Sequence, residues 1–172
     1  QKILFKTILK KMKNIVIVES QAKAKKIQGF LEKAFPSDSW KVQACLGHVR
    51  DLKDDESAVD PNDWNNLKWE STPKGKKTLK EIRQLSKDSG GIYLASDPDR
   101  EGEAIAWHIL DHLKDKKLIE GKQIYRISFN EITFSAIKQA VENPRDIDQF
   151  LVEAYLARRV LDHLIGFKVS PL

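Results

Sequence analysis

At 172 residues, the chain is long enough for one domain with its own core and the beginning of another. Its 41 % hydrophobic content is ordinary for a globular protein, and its one cysteine, Cys45, excludes an internal disulfide. No uncharged apolar run approaches the ~18 residues of a membrane-spanning helix. The net charge of +5 sits mostly in the first eleven residues, where Lys2, Lys6, Lys10 and Lys11 contribute +4 and leave +1 for residues 12–172. The total charge is therefore weak grounds for nucleic-acid binding.

Residues 1–11 alternate those lysines with Ile3, Leu4, Phe5, Ile8 and Leu9, and no small-residue cleavage site follows. They read as an upstream segment without function, with Met12 a natural start. Residues 15–18 are all β-branched, the pattern of a strand buried on both faces of a parallel sheet. Ile27, Phe30, Leu31, Ala34 and Phe35 recur at helical spacing until Pro36 stops them. Residues 42–46 read as a second strand ending at Gly47 and His48, with Cys45 a small buried apolar residue in it. Residues 51–73 are polar and aperiodic, a long loop or excursion.

A helix is predicted over 78–85, a strand over 92–95, a helix over 101–113, a strand over 124–129 and a helix over 132–141. Asn143 and Pro144 end the last of these, and a boundary falls near 143–146. Ile147, Leu151, Ala154, Leu161, Leu164 and Ile165 then mark one long helix. Alternating strands and helices define an α/β domain around a largely parallel sheet.

Ligands of open α/β sheets bind beyond the carboxyl ends of the strands. The first strand runs directly into Glu19 and Ser20, and the strand at 92–95 runs into Ser96-Asp97-Pro98-Asp99-Arg100-Glu101. Pro98 keeps Asp97 extended, so Asp97 and Asp99, two apart, can point the same way. Four gathered carboxylates call for a cation, and oxygen-only ligands favour a hard ion such as Mg2+ acting on a phosphodiester. The plainer reading is that Asp-Pro-Asp before a helix is a turn and an N-cap.

The run Ser96-Asp97-Pro98-Asp99-Arg100-Glu101-Gly102-Glu103-Ala104-Ile105-Ala106-Trp107-His108 resembles the Asp-x-Asp-x-Glu segment of bacterial type IA DNA topoisomerases. Val16-Ile17-Val18-Glu19-Ser20-Gln21-Ala22-Lys23-Ala24-Lys25 is similar to that family's first motif. Gly47-His48-Val49-Arg50-Asp51-Leu52, Phe129-Asn130-Glu131-Ile132-Thr133 and Ala157-Arg158-Arg159-Val160-Leu161-Asp162 resemble three further segments, in the family's order. The resemblance implies a Toprim fold over residues 12–145, a Rossmann-like sheet flanked by helices, and the start of a helical DNA-binding domain over 146–172. It implies Mg2+ as cofactor, and breakage and rejoining of one strand of negatively supercoiled DNA through a phosphotyrosine. It also implies a cytoplasmic, nucleoid-associated setting and further domains of the same enzyme.

Carried over by position, Glu19 is the general acid beside the leaving 3′-oxygen and Lys23 contacts the scissile phosphate. Glu19, Asp97, Asp99 and Glu101 hold Mg2+, and His48, Arg158, Arg159, His163 and Lys168 touch DNA. Gln21 stands where the family usually has Pro, and His163 where Arg is common, which weakens a phosphate contact there.

Without the resemblance, Lys23 and the group Lys74, Lys76, Lys77 and Lys80 read as solvated surface, His48 as a turn residue, and Trp107 and His108 as packing. Arg158 and Arg159 cannot share a helix face, so at least one is structural, most simply paired with Asp162. No tyrosine here matches the family's nucleophile, so the chain is expected to lack activity by itself and to belong to a larger enzyme. Two readings compete: a stand-alone Toprim module that binds metal and nucleic acid, and a Toprim nuclease using metal-activated water.

Overall fold

The structure, a computed structural model, describes residues 12–168. The leader expected over 1–11 lies outside the described residues. Strand β1 (Lys13–Val18) sits inside a four-stranded parallel sheet ordered β2-β1-β5-β6, with β2 at Ser39–Ala44, β5 at Gly91–Leu94 and β6 at Gln123–Arg126. Helix α1 spans Gln21–Ala34, α2 Pro73–Lys87, α3 Arg100–Asp115, α4 Phe134–Glu142 and α5 Gln149–Lys168. The expected α/β architecture, a parallel sheet flanked by helices, is the one observed.

Successive side chains of a strand face opposite ways, so β1 feeds two cores. Ile15 and Ile17 join Leu79 and Ile82 of α2, Ile105, Ile109 and Leu113 of α3, and Ile92 and Leu94 of β5. Val16 and Val18 join Ala24, Ile27 and Leu31 of α1 and Ile137 and Ala140 of α4. Helices therefore cover both faces, which is why the strand sequence is apolar throughout. Cys45 is buried in the first core, where desolvation pushes its thiol up to about 11 and leaves it inert.

The excursion between β2 and α2 holds more structure than its sequence suggests. Strands β3 (Arg50–Leu52) and β4 (Trp69–Ser71) pair antiparallel, with a 3-10 turn at Glu56–Ala58 between them. Three-residue strands are too short to display a period, so no element was legible there. Leu52, Ala58 and Val59 form a third small core with Val160 of α5, flanked by Leu67, Trp69 and Leu164. Helix α5 thus lies over this excursion and against α3. Helix α2 begins five residues before its apolar period, because Thr72 caps it and Pro73 occupies its first turn. No described helix is long and apolar enough to cross a membrane.

Candidate metal and DNA site

Because all four strands of the main sheet are parallel, their carboxyl ends share one rim. Strands β1 and β5 are direct neighbours, so the residues that follow them emerge side by side. Glu19 and Asp97 meet there: the N–H of Asp97 donates to Glu19 Oε1 at 2.8 Å. Ser20 caps α1 by accepting from the N–H of Lys23, which sets Lys23 in the first helical turn. From there its Nζ reaches Asp97 Oδ1 at 2.6 Å. The ammonium thus neutralises one oxygen of the Asp97 carboxylate at the rim.

Asp99 takes the plainer of its two sequence readings. It is the N-cap of α3, accepting from the N–H of Gly102 at 2.7 Å, and its carboxylate remains exposed at the rim. A cleft of about 430 Å³ is lined by Lys23, Asp97, Pro98 and Asp99 on one side and Phe129, Asn130, Glu131 and Ile132 on the other. The segment after β6 thus forms the far wall of the acidic site.

Glu101 departs from the expected constellation. It lines a separate cleft of about 330 Å³ with His48, Arg100, Tyr155, Arg158, Arg159 and Asp162. Among the described residues, no three His, Cys, Asp or Glu side chains are grouped closely enough to hold a metal ion. The four carboxylates share a rim without converging: Glu19, Asp97 and Asp99 each have a donor or charge partner of their own, and Glu101 lies exposed in the second cleft. The oxygen donors of Glu19, Asp97 and Asp99 still suit a hard cation, with Lys23 as its stand-in on Asp97.

The expected DNA contacts divide into exposed and internal groups. Gly47 takes a φ of +99° in the turn after β2, and His48 follows it to stack on Tyr155, ring centroids 5.3 Å apart and 14° from parallel. Arg158 is exposed and pairs with Asp162 at 3.3 Å, and Lys168 is exposed in the last turn of α5. Arg159 makes a two-pronged bond to Asp51 at 2.6 and 3.0 Å, tying α5 to β3. Burial raises the Asp51 carboxyl, but the Arg159 fork outweighs it and holds the carboxyl below its ordinary value. His163 belongs to the internal group: only 6 % exposed, it lies 3.1 Å from the Asp55 carbonyl oxygen and packs on Phe167.

Other motif residues are structural. Arg50 is buried between Trp69 and Trp107, donating to His108 Nδ1 at 3.0 Å and to Asp111 at 2.7 Å. Trp107 and His108 are packing residues, as their helical spacing suggests. The lysines at 74, 76, 77 and 80 are exposed surface.

Two residues went unremarked in the sequence. Arg126, in the last position of β6 and 2 % exposed, donates to the carbonyls of Ser96 and Asp97 at 2.6 and 2.8 Å. The signal available was a lone arginine in a strand of apolar neighbours. Glu103 carries no exposure and accepts from Arg126 and Arg145 and from the N–H of Asp148. Its burial acts to raise the carboxyl, but those three partners outweigh it and hold the carboxyl below its usual range. The signal was a second glutamate in the first turn of α3 on its buried side.

An acidic pair at adjacent strand ends, a lysine on the helix between and a wall supplied after the last strand together define a Toprim-type site. Residues 14–132 match the Toprim domain family, and the chain belongs to it. Domains of this family bind divalent metal ions, which agrees with the all-oxygen donor set. The chain is 48 % identical over 160 residues to DNA topoisomerase 1 of Xylella fastidiosa (strain Temecula1), a match covering 93 % of this chain and 19 % of that protein. It is 44 % identical over 158 residues to DNA topoisomerase 1 of Zymomonas mobilis, covering 92 % and 12 % respectively. Among solved structures, full-length topoisomerase I from Thermotoga maritima is similar with a TM-score of 0.75 and 38 % identity, over 91 % of this chain and 25 % of that one. The chain thus spans a small part of the length of these relatives.

Proposed function

We propose that this chain is the metal-binding Toprim part of a type IA DNA topoisomerase, which breaks and rejoins one DNA strand by Mg2+-dependent transesterification. The observation that carries this reading is the contact of Glu19 with the Asp97 N–H, with Lys23 on the carboxylate of the same aspartate. When bound at Asp97, Asp99 and Glu19, Mg2+ supplies neutralising charge to the phosphodiester. Glu19 delivers a proton to the departing 3′-oxygen as the attacking oxygen bonds to phosphorus, and takes the proton back during rejoining. Lys23, released from Asp97, holds the phosphate as a point charge. Glu19, Asp97 and Asp99 would have to draw together around the ion, and Glu101 would join them only with a shift of the first turn of α3 toward the rim.

The substrate is a single-stranded segment of negatively supercoiled DNA, met in the cytoplasm at the nucleoid. His48, Arg158, Arg159 and Lys168 lie along its path, Arg159 through its hold on Asp51. Residues 12–145 form the Toprim unit and α5 begins a helical DNA-binding region. The attacking tyrosine comes from outside these 172 residues. Tyr93 packs against Tyr125 with the rings tilted and its hydroxyl pushed up to about 12 by burial, and Tyr155 is committed to His48, so none faces the Asp97 cleft.

Calorimetric titration with Mg2+ tests the reading. The chain is expected to bind Mg2+ and the Asp97→Asn/Asp99→Asn double variant to lose that binding; equal binding by both proteins removes the proposed site. The chain alone is expected to leave supercoiled plasmid intact, and Mg2+-dependent nicking by it would favour a hydrolytic nuclease instead.

A further inference from the structure

The acidic loop after β5 is held from the protein interior by one guanidinium. Arg126 Nη1 donates to the carbonyls of Leu94 at 3.1 Å, Ser96 at 2.6 Å and Ile127 at 2.7 Å, and Nη2 to that of Asp97 at 2.8 Å. Its Nε and Nη2 also reach Glu103 Oε1 at 3.2 and 3.0 Å. Glu103 in turn accepts from Arg145, and its other oxygen accepts from the N–H of Asp148 at 3.0 Å. Every nitrogen of Arg126 is thereby engaged, in a residue 2 % exposed beside a carboxylate that is fully buried.

A buried ion pair contributes little net stability relative to apolar packing of the same volume, because desolvating both charges offsets their attraction. What the guanidinium adds that a methionine cannot is direction. A planar fork with five donors fixes several carbonyls at once. Here three of those carbonyls, Leu94, Ser96 and Asp97, belong to the strand end and loop that carry the Asp97 carboxylate. Gly102 closes the same loop from above, its carbonyl accepting from Ser96 Oγ at 2.6 Å.

We propose that Arg126, anchored by Glu103, is a positioning residue of the acidic site. It sets where Asp97 presents its N–H to Glu19 and its carboxylate to a cation. Through Arg145 and Asp148, Glu103 also fixes that loop relative to the link that enters α5. The proposal rests on Asp97 being a metal ligand, as argued above.

The test is Arg126→Lys, which keeps a positive charge for Glu103 but cannot reach the four carbonyls together. Amide hydrogen exchange is followed by NMR in metal-free protein, alongside Mg2+ calorimetry. Exchange at Asp97 and Gly102 is expected to quicken at least about tenfold while Val16 and Ile17 in β1 stay protected. Mg2+ binding is expected to weaken several-fold. Unchanged loop exchange, or equal acceleration in the loop and β1, overturns the positioning role. Failure of the unaltered chain to bind Mg2+ overturns the metal reading instead, and the exchange pattern still decides whether Arg126 sets the loop. Should Arg126→Lys not fold, Arg145→Gln alters a partner that is 35 % exposed, and the same amides are expected to loosen to a smaller degree.

Discussion

With Asp97 as the proposed metal ligand, Lys23 and the cation would compete for the same carboxylate oxygen. Replacing Lys23 by Met removes the competitor and leaves Glu19 and Asp99 in place. Both partners of the pair are about one-third exposed, so water screens it and the pair contributes about 0.5–1 kcal/mol rather than its full Coulomb energy. Lys23→Met is therefore expected to tighten Mg2+ binding roughly two- to fivefold while weakening binding of single-stranded DNA. Calorimetry reads the first and a fluorescence titration the second. Weaker Mg2+ binding in this variant would place Lys23 on the side of the metal rather than against it. Gly102 gives a second residue-scale test. A Cβ there would stand 1.9 Å from the Asp97 carbonyl oxygen. Alanine improves helix propensity by about 1 kcal/mol, yet the clash with backbone cannot relax without moving the loop. Gly102→Ala is expected to lower stability by about 1–3 kcal/mol and to weaken Mg2+ binding, as urea unfolding and titration would read. A variant more stable than the parent would contradict the close approach. The rim placement of Glu19, Asp97 and Asp99 was legible in the sequence because strand ends are predictable positions. The inward turn of His163 was not, because its partner is a backbone carbonyl 108 residues earlier in the chain.

At the scale of elements, long apolar periods announced the sheet strands and helices, whereas the β3–β4 excursion carries its information in tertiary partners. Arg50 finds His108 and Asp111 on α3, and Asp51 finds Arg159 on α5, pairings that no local pattern encodes. Helix α5 reads in sequence as the opening of a separate helical unit, yet Val160 completes a core with Leu52, Ala58 and Val59. The Arg159 fork onto Asp51 is the polar complement of that core. Asp51→Asn keeps the shape but removes the charge, and the pair is partly exposed, so a loss of about 1 kcal/mol is expected. The change should appear as faster amide exchange along α5 with β1 unaffected. Uniform exchange across both elements would mean that α5 is not held to the excursion by this bond.

The molecule as a whole carries a pH response that follows from two histidines buried beside arginines. Burial, then the Arg50 charge, depress His108 from 6.5 to about 3; burial and then Arg83 depress His112 to about 4. Arg50 donates to His108 Nδ1, which fixes the proton on Nε2 and leaves no lone pair to titrate without breaking that bond. Both rings are neutral when folded and gain a proton near 6.5 when unfolded, so the unfolded state binds more protons below that pH. Stability is then complete above about pH 7 and is lost as pH falls from 6.5 toward 4, before the paired carboxylates Asp51 and Glu103 are neutralised. At pH 5 His108 alone is expected to remove about 2 kcal/mol relative to pH 7.5. Urea unfolding at the two pH values measures this, and His108→Gln should flatten the slope while lowering stability at both. A protein equally stable at pH 5 and 7.5 would mean that these rings already carry protons in the fold. That would be incompatible with the Arg50 contact, since Arg50 crosses from the excursion to α3 and a second positive charge at His108 would drive the two apart.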